Sequence, residues 1–225
     1  MGPVASVVLA AALLAAAIYG VALNRAAPSP ARTVIKTAGL AGLSSVAALT
    51  ALPWLLVLAL AASAVGDGLL AGPGERRFMA GVGAFALAHA AYVPLFLELG
   101  AWHVPPGAGR LVAMALLVGA ASWLLAVVLW RHLGALRWPL TGYFVIILAM
   151  GLTAFALPGS VGGLAVTAGA TAFVLSDMVL GIELFRLKDG SPWRRLTGPL
   201  IWVLYFGGQA LIAWGVLALS AGQAG

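Results

Sequence analysis

The sequence predicts an all-α, polytopic membrane protein of eight transmembrane helices, on three observations. Of its 225 residues 63% are hydrophobic and only 8% charged, where a soluble domain carries about a quarter charged residues. The mean hydropathy is +1.09, and only lipid solvates a surface this apolar. The apolar residues also gather into eight runs, and cations alternate between the loops that join them. No polar stretch is long enough for a second unit, so residues 1–225 read as a single eight-helix domain.

Crossing about 30 Å of hydrocarbon takes roughly 20 apolar residues in a helix. The first run, 4–23, is apolar like a signal peptide, but it lacks a basic n-region and a convincing cleavage site, and reads as the first span. The others are 34–51, 54–71, 78–98, 110–130, 140–157, 161–184 and 198–220. Between them stand PSPAR, LP, GPGERR, WHVPPGAGR, RHLGALRWP, LPGS and RLKDGSPWRR, whose Pro, Gly and charges are turn signals. Trp54, Trp102, Trp130, Trp138 and Trp193 sit near helix ends, where aromatic belts lie.

Orientation follows from the cations. Loops one, three, five and seven hold Arg25, Arg32, Lys36, Arg76, Arg77, Arg131, Arg137, Arg186, Lys188, Arg194 and Arg195; the termini and the even loops hold Arg110 alone. This asymmetry places both termini outside the cytoplasm. It also accounts for the formal charge of +6, so no nucleic-acid partner is expected. Ten of the twelve cations are Arg in an Ala- and Gly-rich chain, which points to a GC-rich bacterium and its inner membrane. Cysteine is absent, which removes disulfides and thiolate metal sites.

An internal repeat is visible. Gly66-Asp67-Gly68-Leu69-Leu70 in the third run matches Ser176-Asp177-Met178-Val179-Leu180 in the seventh, each followed by paired arginines. Four helices separate the copies, so a parallel four-plus-four duplication is suggested, with the two aspartates facing each other. Chance similarity in so restricted an alphabet is the competing explanation.

Ionisable groups inside a bilayer cost several kcal/mol and by default face the bundle interior. Asp67 lies about one turn, and Asp177 two to three turns, from the cytoplasmic helix ends; the plain alternative is that each pairs with a basic neighbour at the surface. His89 shares a face with Phe78, Gly81, Phe85 and Tyr92. Lys36 either snorkels to the interface or meets a phosphate. Tyr143 shares a face with Met150, and Tyr205 with Trp202 and Gln209; such groups often only join helices. Glu183 is placed to reach water or Arg186, and the Gly159–Gly163 spacing reads as helix packing. With one histidine well inside a span, the three ligands of a zinc hydrolase are not at hand, and no metal or other cofactor is expected.

Five segments carry a further likeness: S-A-V-G-D-G-L-L at 63–70, F-M-A-G-V-G-A-F-A-L-A-H-A-A-Y at 78–92, Y-F-V-I-I-L-A-M at 143–150, G-A-T-A-F-V-L-S-D-M-V-L at 169–180 and Y-F-G-G-Q-A-L-I at 205–212. With Lys36 opening the second helix, this ordered set resembles the YhhN-like lysoplasmalogenase family. The resemblance implies an integral membrane hydrolase. It would cut the vinyl ether of a lysoplasmalogen, releasing a fatty aldehyde and a glycerophospho-headgroup.

Such chemistry suits these residues. A vinyl ether hydrolyses through protonation on carbon and an oxocarbenium ion, which asks for a general acid and a negative stabiliser, as in glycoside hydrolysis. Two aspartates in a low-dielectric pocket cannot both ionise cheaply, so one is expected to keep its proton. Asp67, Asp177 and His89 are the expected catalytic residues, with Asp177 the preferred acid. Lys36, Tyr92, Tyr143, Ser176, Tyr205 and Gln209 are the expected substrate-binding residues. The rival reading is a small transporter or proton-coupled carrier using the same aspartates.

Overall fold

The computed structural model describes residues 1–223, which are helical and contain no strand. Eight α-helices follow in order among them: α1 (Pro3–Ile18), α2 (Pro30–Leu49), α3 (Trp54–Leu70), α4 (Glu75–Glu98), α5 (Ala108–Trp123), α6 (Arg137–Phe155), α7 (Val161–Phe185) and α8 (Arg194–Gln223). By length and composition, six helices can cross a membrane: α1 and α5, each with the turns that continue it, and α4, α6, α7 and α8. The other two are α3, apolar but 17 residues long, and α2, which carries Arg32, Lys36 and four hydroxyl side chains. These are the helices that bear Asp67 and Lys36, and the polar residues of α2 dilute the apolarity on which membrane spans are recognised.

Each apolar run has its helix, but α2, α4, α6 and α8 begin three or four residues ahead of runs 34–51, 78–98, 140–157 and 198–220. A hydropathy reading stops at the first charge, whereas the first helical turn accommodates polar residues and proline. In α2 the Ser29 side chain caps the helix by accepting from Arg32 N at 3.2 Å, and Pro30 follows it. Both α1 and α5 run on into π-helical turns, Tyr19–Leu23 and Leu124–Leu129. Such turns are rare and gather at functional sites.

The loop arginines have a structural task at the helix ends. The last carbonyls of a helix lack partners inside it and carry the negative end of its dipole. Arg32 donates to Leu23 O at 2.9 Å and Asn24 O at 3.2 Å, closing α1. Arg77 donates to Gly68 O at 3.2 Å at the end of α3. Arg137 donates to Trp130 O at 3.0 Å beyond α5. Arg194 does the same for α7 at Glu183 O and Leu187 O, 3.1 and 3.0 Å away. At the opposite end Arg110 donates to the Phe155 and Leu157 carbonyls that finish α6.

The bundle closes as a ring, α2–α3–α4–α6–α7–α8 and back to α2, with α1 packed outside α2 and α5 outside α6. The tightest seam joins α7 to α8. A Cβ on Gly169 would lie 2.5 Å from Gly208 O, and one on Gly215 would lie 2.7 Å from Gly162 O, so the two backbones touch through these glycines. The Gly159–Gly163 spacing does other work: a Cβ on Gly163 would strike the Pro158 carbonyl in the turn before α7, not a neighbouring helix.

Candidate active site

A cavity of about 350 Å³ lies inside the ring at its arginine-bearing end. Lys36 of α2, Asp67 of α3, Tyr143 of α6, Ser176 and Asp177 of α7 and Tyr205 of α8 all line it. Each comes from the half of its helix nearest the arginine-rich loops, and apolar side chains such as Phe85, Phe144 and Leu180 fill in between. The two aspartates therefore share one cavity.

Their surroundings differ. Asp67 is 1% exposed, with Lys36 Nζ 2.7 Å from Oδ1 and the Tyr205 hydroxyl donating to Oδ2 at 2.9 Å. Every contact is with a donor, so this carboxyl acts as an acceptor and its charge is matched by the lysine. Asp177 is 11% exposed. Its Oδ2 accepts from the Tyr143 hydroxyl at 3.0 Å and lies 3.2 Å from His89 Nε2. Although Asp177 lies further along its helix from the arginine-bearing end, Asp67 is the better covered, because Lys36 and Tyr205 close over it.

His89 is fully buried, its ring 4.2 Å from that of Phe173. Nδ1 sits 2.7 Å from the Phe85 carbonyl, which only accepts, so Nδ1 carries hydrogen. That fixes the tautomer and leaves Nε2 facing Asp177 with no hydrogen-bond partner. A proton between Nε2 and Oδ2 satisfies both atoms, whichever of them holds it.

Ser176 lines the cavity while its hydroxyl donates to Phe173 O at 2.7 Å. Tyr92 and Gln209 do not line it. They lie behind it, Tyr92 donating to Gln209, whose amide donates to Ser63 Oγ at 2.8 Å. That buried chain joins α4, α8 and α3. Lys36 turns inward to its carboxylate and does not snorkel. Glu183 meets Arg194 at 3.9 Å and accepts from Thr197, while Arg186 goes to His132 at 2.7 Å. The reason is the turn into α8, which brings Arg194 and Thr197 back over the end of α7.

Sequence reasoning gave no site role to Tyr19, Asn24, Arg32 or Trp202, all on the cavity wall, although it set Trp202 on one face with Tyr205. Arg32 stands four residues before Lys36 on one face of α2, a spacing that gave a usable signal. Tyr19 and Asn24 arrive through the π-helical end of α1, where the Tyr19 ring lies 4.4 Å from that of Trp202, and nothing local announces that contact. Among the described residues no three of His, Cys, Asp and Glu come together as a metal site.

Comparison with known proteins gives the family. Proteins named lysoplasmalogenase from Mycobacterium bovis and Mycobacterium tuberculosis are each 38% identical to this chain over 163 residues, 71% of this chain and 59% of theirs. The chain thus spans under two thirds of the length of these curated relatives. No solved structure matches. The YhhN family matches residues 31–216, a stretch that holds both aspartates, Lys36 and His89, and the chain belongs to that family.

Proposed function

We propose that this chain is a lysoplasmalogenase-type ether hydrolase, cleaving a lysoplasmalogen to a fatty aldehyde and a glycerophospho-headgroup by acid–base catalysis. The observation that carries this reading is the pair of aspartates in one cavity, Asp177 beside a histidine that can share a proton and Asp67 against a lysine. The names of the mycobacterial relatives support the same reaction.

In the proposed mechanism Asp177 gives its proton to the outer vinyl carbon, using the electron pair of the double bond and leaving an oxocarbenium ion. The Asp67 carboxylate stabilises that cation. Water adds to the cationic carbon and returns a proton to Asp177, and the resulting hemiacetal collapses to aldehyde and a free glycerol hydroxyl. His89 and Tyr143 hold Asp177, and Tyr205 holds Asp67. Ser176 borders the reacting groups. Tyr92 and Gln209 fix the helices behind them, and Lys36 serves as the counter-ion of Asp67. Incubating the purified protein with a 1-alkenyl lysophospholipid should release aldehyde, and release should persist in EDTA, since His89 is the one histidine well inside a helix. No aldehyde from any alkenyl headgroup would sink the reaction, and loss in EDTA with recovery on zinc would replace the mechanism.

The same reading places the chain in a bacterial inner membrane as one domain crossing eight times, its arginine-bearing end and cavity on the cytoplasmic side and both termini outside. Exchanging the first four helices for the last four leaves the order of the ring unchanged. It also exchanges the two carboxyl sites: Asp67 is held by α2 and α8, Asp177 by α6 and α4. That exchange supports a parallel four-plus-four duplication. Reporter fusions at the C-terminus and in loop 99–109 should score periplasmic, and fusions near 74, 134 and 190 cytoplasmic. A cytoplasmic C-terminus would overturn the count of eight.

A further inference from the structure

We propose that Arg32 is the phosphate-binding residue of this cavity, taking the phosphate of the lysophospholipid headgroup, an inference that rests on the lysophospholipid reading above. Two cations line the cavity, Arg32 and Lys36. The charge of Lys36 is met by Asp67 at 2.7 Å. Arg32 enters none of the ion pairs among the described residues. Neutral oxygens hold it instead: Nε donates to Leu23 O at 2.9 Å, and Nη2 to Asn24 O at 3.2 Å and Tyr19 Oη at 3.1 Å. Those bonds fix the guanidinium plane and leave Nη1, with two N–H donors, free of acceptors among the described residues.

A guanidinium stays charged under all ordinary conditions and pairs well with phosphate oxygens. Here it is partly buried, oriented in advance and uncompensated, which lowers the cost of ordering it around a ligand. It occupies the first turn of α2, whose dipole adds to the attraction for an anion. The other cap arginines, Arg77, Arg137 and Arg194, do not line the cavity.

Depth agrees with this assignment. Arg32 precedes Lys36 by four residues, about 6 Å of helix toward the arginine-bearing end. In a lysoplasmalogen the three glycerol carbons separate the vinyl ether from the phosphate, a comparable span. A lipid with its vinyl ether at the aspartates would therefore bring its phosphate to Arg32. The remaining cation beside the reacting groups is Lys36, already committed to Asp67.

The test uses two ligands that cannot be cleaved, a saturated 1-O-alkyl lysophosphoethanolamine and the phosphate-free 1-O-alkylglycerol, titrated into the full-length protein in detergent with tryptophan fluorescence as readout. Arg32→Gln should weaken the phospholipid roughly 10- to 100-fold and leave the alkylglycerol unchanged. Arg32→Lys, which keeps the charge and loses the fork, should fall between. Because Arg32 also closes α1, an equal loss for both ligands would make it a purely structural residue and overturn the proposal, as would no loss for either. Competition by inorganic phosphate identifies the source. Displacement of the lipid makes this a general phosphate site and failure to displace ties it to the headgroup, and either outcome upholds phosphate as the ligand. If the discrimination appears but no lysoplasmalogen is cleaved, the reaction fails and the phosphate site stands. If aldehyde is released without the discrimination, the site fails alone.

Discussion

Asp177→Asn is expected to lower aldehyde release by a factor of about a thousand or more, the loss that follows from removing several kcal/mol of transition-state stabilisation. The amide matches the carboxyl in size and still offers Tyr143 and His89 a polar partner at 3.0 and 3.2 Å. It has no proton to give to carbon. Expression, membrane insertion and thermal stability should therefore stay close to wild type while turnover collapses, and the binding of an uncleavable ether lipid should persist. His89→Gln is the informative companion. It removes the ring that packs against Asp177 but leaves the acid, so turnover should fall less. An Asp177→Asn variant with near-normal turnover would remove this carboxyl from the reaction. Unchanged turnover in His89→Gln would confine the histidine to packing.

The arrangement that makes these variants informative was only partly legible in the sequence. Composition alone marked the chain as lipid-facing, and the loop cations marked which helix ends lie together, because both are sums over many residues. Asp67, Asp177 and His89 stood out because an ionisable group inside an apolar run needs a reason to be there. What each one touches depended on contacts between distant helices. The local spacing of Lys36 fitted a snorkelling lysine equally well, and its inward turn is decided by Asp67 in a different helix. Tyr205 and Gln209 are four residues apart on one face of α8, yet the first borders the cavity and the second is sealed behind it by Tyr92 and Ser63. Helical periodicity gives the face of a helix but not the depth at which a neighbour closes it. Nor does it show that the end of α1, outside the stretch matched by the family, brings Tyr19 and Asn24 into the cavity wall.

The ion pair between Lys36 and Asp67 should show the largest effect on stability. Breaking a buried pair by deleting one partner commonly costs about 3–5 kcal/mol, because the other charge is left without compensation. The two deletions are not equivalent here. Asp67 is 1% exposed, while the Lys36 side chain is 22% exposed on the cavity wall. Lys36→Met strands a carboxylate that cannot reach water, so it should approach the full loss and lower the melting temperature in detergent sharply. Asp67→Asn leaves an ammonium that can swing into the cavity, so it should cost clearly less. The double variant Lys36→Met/Asp67→Asn removes both charges and should melt close to the wild type. Activity should follow a different order. Asp67→Asn and the double variant remove the carboxylate, and Lys36→Met removes the cation that holds it in its charged state, so all three should be nearly inactive, and only stability should return in the double. A lysine that merely held the substrate's phosphate would behave otherwise: Lys36→Met would raise KM, leave kcat nearly intact and leave the melting temperature unmoved. That outcome would separate Lys36 from Asp67 and make the phosphate, not the carboxylate, its working partner.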